Sequence, residues 1–435
     1  MNKAKALVPK LRFPEFRAAE GWEVKPMGKV YTFKGNNSLS REKLNYERGS
    51  LKNIHYGDIH TKFSTHFDIT KEVVPYINPS EPVDAFKAEK FCIEGDIIFA
   101  DASEDLEDIG KAIEIVSLGG EAVVSGLHTI LARQTGSDLV LGFGGHLFKS
   151  RLVRTQIQKE SQGSKVLGLA GSRLANINIP FPHSQSEQQK IADCLSSVDE
   201  LMAAQARKLD ALKTHKKGLT QQLFPREGET QPRLRFPEFQ NAEEWEPKSI
   251  GQLGEVVTGS TPSTARPEYY GGDRLFVSPA DISDDRFIGK TKTNLTELGF
   301  RETRLIKANS ILFVCIGSTI GKIAQNSHEC ATNQQINSVV PNLDNSDGFV
   351  YYALSGITDK IANIAGRQAV PIVNKSLFSS VELPVPKLPE QNRIANCLSS
   401  LDQTILAQTQ KLQALKTHKK GLMQQLFPSA EMLEA

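Results

Sequence analysis

The sequence ALKTHKKGLTQQLFP at residues 211–225 returns almost unchanged as ALKTHKKGLMQQLFP at residues 414–428, 203 positions later. The same offset aligns IADCLSSVD at residues 191–199 with IANCLSSLD at residues 394–402. Two long segments of the chain are therefore copies of one another, and they decide how the rest of the chain must be arranged.

A second repeat opens each half of the chain. The sequence LRFPEF stands at residues 11–16 and again at residues 234–239, and Trp22 and Trp245 follow at matching distances. Between the matched segments the two halves differ almost everywhere. The chain is therefore a repeated frame that holds two dissimilar inserts, as a device needs if it must read two different things at a fixed separation.

Apolar residues run through the long repeats in alternating steps of four and three. In the first half they are Ile191, Leu195, Val198, Met202, Leu209, Leu212, Leu219 and Leu223. In the second half they are Ile394, Leu398, Leu401, Ile405, Leu412, Leu415, Leu422 and Leu426. This spacing predicts two long helices with a coiled-coil seam. Gln205, Gln408, Lys216 and Lys419 interrupt it, and we interpret the two lysines as reaching past the seam to water rather than fixing its register.

The ends of both helices carry sequence signals. Ser184 and Glu187 have the S-x-x-E spacing of a capping box, and Pro389 stands where a first-turn proline is tolerated. Pro225 and Pro428 stop the helices. We place the domain boundaries accordingly, with a first insert at residues 1–183, a first helix at 184–225, a second insert at 226–386, and a second helix with its tail at 387–435.

Chain connectivity predicts the direction of the helices. Each helix has about 35 residues and is therefore roughly 50 Å long. A compact insert of this size has a radius of gyration near about 15 Å, so the second helix must start beside the end of the first. We expect an antiparallel coiled coil with one α/β insert at each end and a pseudo-two-fold axis across it, like a ring cut at one of two equivalent joints.

The totals exclude several classes of protein. The 435 residues carry a formal net charge of +2 and five cysteines, an odd number that lacks metal-site spacing. No apolar run approaches the length of a membrane span, and the basic N-terminal sequence lacks the apolar core of a secretory signal. We expect a cytoplasmic protein with no membrane contact.

The inserts share a fold although they do not share a surface. Residues 94–100 match residues 308–314, each reading as a turn followed by an apolar strand. Gly110-Lys111 and Gly321-Lys322 follow at similar distances. Each insert is therefore predicted to be a mixed α/β domain with short strands.

Candidate ligand-contacting residues are rich in amides, hydroxyls and cations, the groups that read base edges and phosphates. In the first insert they are Lys34, Asn36, Asn37, Ser38, Arg41, Lys111, His128, Lys165 and Arg173. In the second insert they are Ser260, Thr261, Thr264, Arg266, Tyr269, Lys322, Asn333, Gln334 and Arg367. A basic stretch of Lys149, Arg151, Arg154, Lys159, Lys165 and Arg173 could neutralise several phosphates. The alternatives are a solvated turn for each loop and a core position for His128.

Catalytic signatures are absent. The segment at residues 316–323 resembles a phosphate-binding loop but places Ile323 where Ser or Thr should hold magnesium. The sequence contains no H-E-x-x-H, no paired C-x-x-C and no G-x-S-x-G. We therefore predict no catalytic residue and no metal site.

The chain closely resembles the specificity subunit of type I restriction–modification enzymes. The resemblance rests on the RFPEF openers, on I/L-P-x-P at residues 179–182 and 383–386, and on E-Q-x-x-I-A-x-x-L-S-S-x-D at the start of each long helix. It covers essentially the whole chain, including the order and duplication of these motifs.

The resemblance implies a non-catalytic subunit that binds double-stranded DNA through two target-recognition domains. Its helices would dock two copies of an N6-adenine methyltransferase, the modification subunit, and motor–nuclease subunits would complete the restriction complex. No cofactor is implied for the chain itself, because S-adenosylmethionine, ATP and magnesium would be bound only by the partner subunits.

The predicted length of the helices adds to this resemblance that they would set the distance between the two half-sites. Two domains held roughly 50 Å apart would read half-sites at most about 15 base pairs apart, since B-DNA rises 3.4 Å per base pair. Because the inserts differ, the target would be asymmetric. The alternative function is an assembly scaffold whose two inserts bind proteins rather than DNA, and an enzyme with an unrecognised site is the third.

Overall fold

The computed structural model describes residues 7–83, 86–365 and 371–429. The chain divides into two compact units. The first comprises residues 1–206 and 411–435, and the second comprises residues 207–410. Each unit therefore combines one insert with segments of both long helices.

The first unit is built on a five-stranded sheet of order β2-β11-β7-β9-β5 and a four-stranded sheet of order β10-β4-β6-β3, with two-stranded pairs β1-β13 and β12-β8. The strands are β1 (Glu23–Pro26), β2 (Tyr31–Lys34), β3 (Leu44–Asn45), β4 (Lys52–Ile54), β5 (His66–Asp68), β6 (Tyr76–Ile77), β7 (Ile97–Ala100), β8 (Ala102–Ser103), β9 (Ala112–Ser117), β10 (Val123–Ser125), β11 (Thr129–Gln134), β12 (Leu167–Gly168) and β13 (Asn178–Phe181). The helices are α1 (Met27–Val30), α2 (Tyr56–Thr61), α3 (Phe143–Leu147), α4 (Arg151–Glu160) and α5 (Gly171–Leu174). They are followed by the long α6 (Gln185–Leu223), of which residues 207–223 belong to the second unit.

The second unit repeats this plan with a five-stranded sheet of order β15-β22-β19-β20-β17, a three-stranded sheet of order β18-β16-β21 and the pair β14-β23. The strands are β14 (Glu246–Ser249), β15 (Gly254–Thr258), β16 (Tyr270–Val277), β17 (Phe287–Ile288), β18 (Thr293–Leu295), β19 (Ile311–Val314), β20 (Ile323–Asn326), β21 (Ala331–Thr332), β22 (Ile336–Pro341) and β23 (Glu382–Val385). The helices are α7 (Ile250–Leu253), α8 (Glu297–Arg301), α9 (Asp347–Gly356), α10 (Thr358–Ile364) and α11 (Lys375–Ser380). They are followed by the long α12 (Leu388–Leu426), of which residues 411–426 belong to the first unit.

The two apolar strands that the sequence matched lie at the centres of the two large sheets. Every residue of β7 and of β19 is buried, as expected for strands covered on both faces. Gly95 and Asn309 precede them with φ of 91° and 64°. Glycine and asparagine are the residues that most readily adopt this left-handed conformation, so the matched turns are confirmed.

Within each unit the two long helices run antiparallel. In the first unit Asp199 of α6 accepts from the Lys419 ammonium of α12 at 2.6 Å, while Leu195 packs in the same core as Leu426. In the second unit Lys216 pairs with Asp402. Each helix is 39 residues long, and the predicted mixed α/β fold with two repeated domains and long helices is confirmed.

The interpretation of the two seam lysines as reaching to water was wrong. Lys216 and Lys419 each form an ion pair with the aspartate of the S-S-x-D motif on the opposite helix. The partner residues are 186 and 220 positions away in the chain, so local spacing could not reveal them. The predicted seam residues are all buried or half-buried.

The repeated Glu-Gln dipeptide ties each helix to its own domain. Arg12 donates two hydrogen bonds of 2.7 Å to Glu187, and Arg235 does the same to Glu390. Both pairs are almost fully buried, with side-chain exposures of 6% and 1% in the first unit and 8% and 3% in the second. The arginine of the RFPEF motif therefore neutralises the buried glutamate at the start of the long helix.

The glutamine of the same dipeptide binds backbone. The Gln188 side chain accepts from the Val140 N–H at 2.9 Å, and that of Gln391 accepts from the Ser346 N–H at 2.9 Å. The capping box predicted for Ser184 is only half formed. The Ser184 hydroxyl accepts from the backbone N–H of residue 187 at 3.3 Å, whereas the carboxylate of that residue is bound by arginine instead.

Two equivalent joints connect the helix ends to the RFPEF segments. The Leu11 N–H donates to the Gln425 carbonyl at 2.9 Å, and the Leu234 N–H donates to the Gln222 carbonyl at 2.9 Å. Aromatic triads lie beside both joints, Trp22 with Phe143 and Phe427 in one unit and Trp245 with Phe349 and Phe224 in the other.

No helix among the described residues combines the length and the hydrophobicity that a membrane span requires.

Candidate functional site

A short turn joins two strands at the same place in both domains. We call residues 126–128, between β10 and β11, turn A, and residues 333–335, between β21 and β22, turn B. Three backbone hydrogen bonds hold turn A, from Gly126 N to Ile54 O (2.8 Å), Asn37 N to Ser125 O (3.2 Å) and Asp101 N to His128 O (3.0 Å). The same three hold turn B, from Asn333 N to Val277 O (3.1 Å), Ser260 N to Thr332 O (2.9 Å) and Cys315 N to Gln335 O (2.8 Å).

The loop that follows the first strand of each large sheet packs against the turn. In the first domain the Asn36 amide donates to the Thr129 carbonyl at 2.9 Å. In the second domain the Gly259 N–H donates to the Ile336 carbonyl at 3.1 Å. A side chain at Gly259 would meet the carbonyl oxygen of Thr332 at 2.2 Å, so this approach requires glycine. The backbone frame is thus common to both domains, and only its side chains differ.

Turn A carries an aromatic and charged cluster. The exposed His128 adopts φ of 55°, and its Nδ1 lies 3.2 Å from Oδ1 of Asp101. Its ring packs edge-on against Tyr56 at 5.2 Å, and Tyr56 also contacts His55 and His60. His128 is therefore an oriented and solvent-accessible side chain, not the core histidine of the alternative interpretation.

A surface depression of about 310 Å³ lies beside turn A. Its lining includes Lys34, Asn36, Asp101 and Thr129. Three elements distant in sequence therefore bring a cation, an amide and a carboxylate to one rim, and two of these residues were predicted as contacts.

Turn B carries amides and hydroxyls. The Thr261 hydroxyl donates to Oε1 of Gln334 at 2.7 Å, and both side chains are exposed. Asn333 donates to Oε1 of Gln335 at 2.9 Å. The Arg304 backbone N–H donates to the Ser260 hydroxyl at 3.1 Å, and the Arg304 guanidinium donates to the Thr258 carbonyl at 2.8 Å. Turn B thus gathers four predicted residues, Ser260, Thr261, Asn333 and Gln334.

Several predicted contact residues are engaged within their domains. Asn37 is buried, and its amide donates to Asn53 and to Ser125. Arg41 forms a bidentate ion pair with the buried Asp58 carboxylate. Burial raises the pKa of this carboxyl, but hydrogen bonds from Arg41 and Lys62 outweigh that effect and lower the pKa.

Lys111 and Lys322 occupy matched positions after β7 and β19 and bind the backbone at neighbouring positions of the matched segments. Each ammonium group donates to a backbone carbonyl, that of His60 at 2.6 Å and that of Ile282 at 3.2 Å. A residue that is the same in both halves and makes a similar backbone contact belongs to the frame. We therefore leave Asn37, Lys111 and Lys322 out of the proposed reading surface.

The basic stretch at residues 149–173 does not form one exposed stripe. The Lys149 ammonium hydrogen-bonds the Thr65 hydroxyl, and Arg154 donates to the backbone carbonyls of residues 107 and 109 at 2.9 and 2.7 Å. Arg173 pairs with Glu160 at 3.3 Å, whereas Lys165 is exposed. Lys149 and Arg154 therefore bond within their own domain, which the sequence of the basic stretch could not indicate.

The remaining predicted residues lie apart from the turns or beyond the described chain. Arg266 donates to the Tyr269 hydroxyl at 2.7 Å, and Thr264 and Ser38 are exposed. Arg367 lies outside the described residues, so its prediction stays as it was made.

Sequence reasoning missed residues that the structure brings to the turns, namely Tyr56, Asp101 and Arg304. One signal could have found Tyr56. Residues 57–59 read GDI and residues 280–282 read ADI, each directly after a strand that pairs with the strand before the turn. When the two halves are aligned on this match, Tyr56 corresponds to Pro279, so the two domains differ at the position just before a shared segment.

A buried polar network differs between the units. In the first unit the rings of His66 and His146 are perpendicular with centroids 4.4 Å apart. Glu114 lies beside them and accepts from the backbone N–H groups of residues 142 and 145 at 2.8 and 2.6 Å. Burial raises the pKa of Glu114 to about 7, against the lowering effect of these two bonds, and burial lowers the pKa of both histidines.

The matched network of the second unit contains Arg286, Gln325 and Tyr352. The Arg286 guanidinium donates to Gln325 at 2.9 Å and to the Tyr352 hydroxyl at 2.9 Å. The Tyr352 hydroxyl donates to Asp402 at 2.6 Å, and burial raises the pKa of Tyr352. This network holds an arginine, a glutamine and a tyrosine where the first unit holds two histidines and a glutamate, so we expect the two units to respond differently to acid.

The first unit should lose stability as the pH falls from 6.5 to 5. The unfolded chain binds more protons there at His66 and His146 than the folded unit does, because burial lowers both pKa values. Folded Glu114, whose pKa burial raises to about 7, offsets part of this difference by keeping a proton that the unfolded chain releases. Because two histidines oppose one glutamate, the free energy of unfolding should fall with pH, by at most about 1.4 kcal/mol per pH unit.

The two tryptophans allow this loss to be measured in each unit separately, because one lies in each core. Denaturant unfolding of a Trp245→Phe variant, followed by Trp22 fluorescence, reports the first unit. The Trp22→Phe variant reports the second. Equal pH dependence in the two variants would contradict the assignment to the histidine network.

Among the described residues no cluster of His, Cys, Asp or Glu side chains has the arrangement of a metal site. The cysteines there are free thiols, and burial raises the pKa of Cys92, Cys315 and Cys330. The site therefore presents hydrogen-bonding groups and cations, which suit recognition of a polar surface.

Comparison with known proteins identifies the same repeat. The family described as Type I restriction modification DNA specificity domain matches residues 19–214 and 242–417. The specificity subunit of the HindI type I restriction enzyme from Haemophilus influenzae is 35% identical over 147 residues, which span 33% of this chain and 32% of that protein. The match to this relative thus covers about a third of its length.

Longer matches extend over nearly the whole chain. The putative type I restriction enzyme MjaX specificity subunit from Methanocaldococcus jannaschii is 22% identical over 418 residues, 94% of this chain and 93% of that protein. The crystal structure of a type I restriction–modification S subunit from M. genitalium superposes with a TM-score of 0.63 at 16% identity, covering 97% of this chain and 100% of that one. This likeness shows the shared fold.

Proposed function

Because the chain belongs to the family of type I restriction–modification DNA specificity domains, we propose that it is a specificity subunit that reads an asymmetric bipartite target in double-stranded DNA. Each domain reads one half-site. In this role the chain directs N6-adenine methylation and restriction by partner subunits and is not itself an enzyme, in agreement with the relatives above, which are named specificity subunits.

One observation carries the proposal of an asymmetric target. Turns A and B are held by the same three backbone hydrogen bonds but present different side chains. Two domains that bind different half-sites in the same way require a common backbone frame with different side chains at the turns. Amides, hydroxyls, histidine and arginine are the groups that contact base edges and phosphates, so the chemistry of both turns fits a DNA surface.

The partners in this proposal are DNA, a modification subunit that methylates adenine, and motor–nuclease subunits that cleave unmodified DNA. S-adenosylmethionine, ATP and magnesium belong to those partners, and this chain holds no cofactor. The complex acts in the cytoplasm, where the DNA is.

Two copies of the modification subunit are supported by residues of the long helices that are both exposed and repeated. Between residues 213 and 222 every exposed residue is identical to its counterpart 203 positions later. These residues are Lys213, Thr214, His215, Lys217, Gln221 and Gln222, matched by Lys416, Thr417, His418, Lys420, Gln424 and Gln425. Nearer the helix starts exposed positions differ, as at Glu200 and Gln403. An exposed surface repeated in two unlike halves fits one partner bound twice.

Charge reversal in one copy of this surface should remove one partner. In a Lys213→Glu/Lys217→Glu variant we expect a complex with one modification subunit, because the unaltered copy at Lys416 and Lys420 still binds. Reversal in both copies should leave none. Native mass spectrometry measures the stoichiometry, and retention of two subunits in the fourfold variant would contradict this docking surface.

The function as a whole is tested by mapping N6-methyladenine across the genome of a methylation-free host that expresses this chain with its modification subunit. The expected result is one asymmetric bipartite motif, methylated on both strands. If the complex assembles without methylation, the DNA-reading role of both inserts is refuted and the scaffold alternative gains.

Salt separates these alternatives without a methylation assay. Phosphate contacts release counterions, so a DNA-reading complex should bind duplex DNA with an affinity that falls steeply as salt rises. A scaffold whose inserts bind proteins should show no duplex binding at any salt concentration.

A further inference from the structure

The His128 side chain, at turn A, is oriented so that it offers a hydrogen-bond acceptor to solvent. A neutral imidazole has one N–H and one bare nitrogen, and the partner of one nitrogen determines the role of the other. The Asp101 carboxylate lies 3.2 Å from Nδ1 of His128, so Nδ1 carries the proton. Nε2 is then the bare nitrogen, on a side chain that is 51% exposed.

Backbone strain supports this orientation. His128 and Asn309 are the two residues other than glycine with positive φ in the part of the chain that the structure describes. Asparagine tolerates this conformation well, whereas histidine adopts it at a cost and only when its surroundings hold it there. The Asp101 carboxylate and the Tyr56 ring hold the imidazole, and its backbone carbonyl accepts from the Asp101 N–H at 3.0 Å.

The side chain at turn B has the opposite polarity. Oε1 of Gln334 already accepts from the Thr261 hydroxyl at 2.7 Å. The amino group of the same amide makes no hydrogen bond to any described residue, and the side chain is exposed. Gln334 therefore offers a donor at the tip of the second domain, while the neighbouring Gln335 is tied to Asn333.

We propose that His128 and Gln334 are specificity-determining residues, one for each half-site, and that they read base edges of opposite hydrogen-bonding type. Nε2 of His128 accepts from an exocyclic amino group, that of adenine N6 or cytosine N4. The Gln334 amide donates to an acceptor, which is N7 or O6 of a purine or O4 of thymine. Asp101 is a positioning residue, because it acts through His128. This inference rests on the proposed DNA-reading function.

Methylation mapping with paired variants tests the proposal. His128→Phe keeps a planar ring but removes the acceptor, and Gln334→Glu replaces the donor by a carboxylate that only accepts. We expect His128→Phe to relax one base pair in one half-site, with discrimination there reduced about tenfold, and to leave the other half-site unchanged. Gln334→Glu should alter one base pair of the other half-site, toward a base with an exocyclic amino group.

The positioning role of Asp101 has its own readout. Asp101→Ala should relax the same base pair as His128→Phe, since the ring loses its orientation. Asp101→Asn should restore discrimination, because its amide oxygen also accepts from Nδ1–H. Relaxation at a different base pair, or no rescue by asparagine, would overturn this role.

Matched controls lie at the opposite ends of the strands that leave the two turns. Ser137 follows β11 and Leu343 follows β22, and both are exposed. Ser137→Ala and Leu343→Ala should methylate the wild-type motif. If the wild-type complex methylates a bipartite motif and the His128 and Gln334 variants methylate the same motif unchanged, the present inference fails. If the wild-type complex methylates nothing, the proposed function fails instead.

Discussion

Replacement of Arg12 by methionine should lower the free energy of unfolding of the first unit by about 3–5 kcal/mol. The change removes the cation that neutralises Glu187, whose side chain is only 1% exposed. The carboxylate then remains buried without a partner, and its desolvation is not offset. Denaturant unfolding of the Trp245→Phe background, followed by Trp22 fluorescence, measures the loss.

The structure offers two controls for this result. Arg235→Met should destabilise the second unit by a similar amount, because the Arg235–Glu390 pair is equally buried. Arg274→Met removes an ion pair whose side chains are 41% and 51% exposed, so it should cost less than about 1 kcal/mol. A loss below about 1 kcal/mol for Arg12→Met as well would show that the buried pair is not critical.

A double replacement distinguishes charge from shape. Arg12→Met combined with Glu187→Leu removes both charges and leaves apolar side chains of similar length. Such replacements of buried ion pairs are often neutral or stabilising, so the double variant should recover most of the lost stability. If it does not, the arginine acts mainly through its bonds of 2.8 and 2.9 Å to the carbonyls of residues 19 and 20.

Lengthening both long helices by one heptad should abolish methylation at the original sites and create methylation at sites with a longer spacer. Seven residues add about 10 Å to a helix, which corresponds to roughly three base pairs of B-DNA. Insertion after Ala206 and after Gln410 falls at the boundary between the two units and preserves the heptad phase. The contacts within each unit are then untouched.

The expected effect is large because both half-sites must be engaged together. Specific complexes bind their DNA typically about 10³- to 10⁷-fold more tightly than nonspecific DNA. A target with the wrong spacing loses one half of its contacts and should fall toward the nonspecific level. Methylation mapping of the lengthened variant should return the two original half-sites with a new spacer. If the half-sites change while the spacer stays the same, the helices do not set the spacing.

Insertion in only one helix is the control for the heptad experiment. It shifts the seam by seven residues on one side, so Lys216 or Lys419 no longer meets its aspartate. We expect loss of assembly rather than a new spacer. An intact complex with an altered spacer would contradict a continuous paired seam.

The frame could be predicted from sequence because it is written twice. The alternating apolar steps in residues 191–223 and 394–426 specify long helices, and the matched apolar runs specify the central strands β7 and β19. These elements are determined by local pattern, which a sequence displays directly. The antiparallel direction of the two long helices could be predicted from the connectivity of the chain alone.

The roles of individual polar residues could not be predicted, because their partners are distant in the chain. Glu187 lies 175 positions from Arg12, and Asp402 lies 186 positions from Lys216. Lys111 donates to the His60 carbonyl, 51 positions away in the chain, a bond that local sequence does not indicate. Strands of two or three residues, such as β3 and β6, are stabilised by pairing rather than by their own sequence, so no local period indicates them.

The two equivalent joints have a consequence for how such chains can be inherited. At one joint residues 226–233 link the two halves of the chain. Each compact unit takes helical segments from both halves, so neither half encodes a complete unit. Two half-length genes would therefore have to be expressed together. Conversely, a crossover within the repeated sequences would replace one insert and keep every frame contact, and a single recombination event would yield a new hybrid specificity.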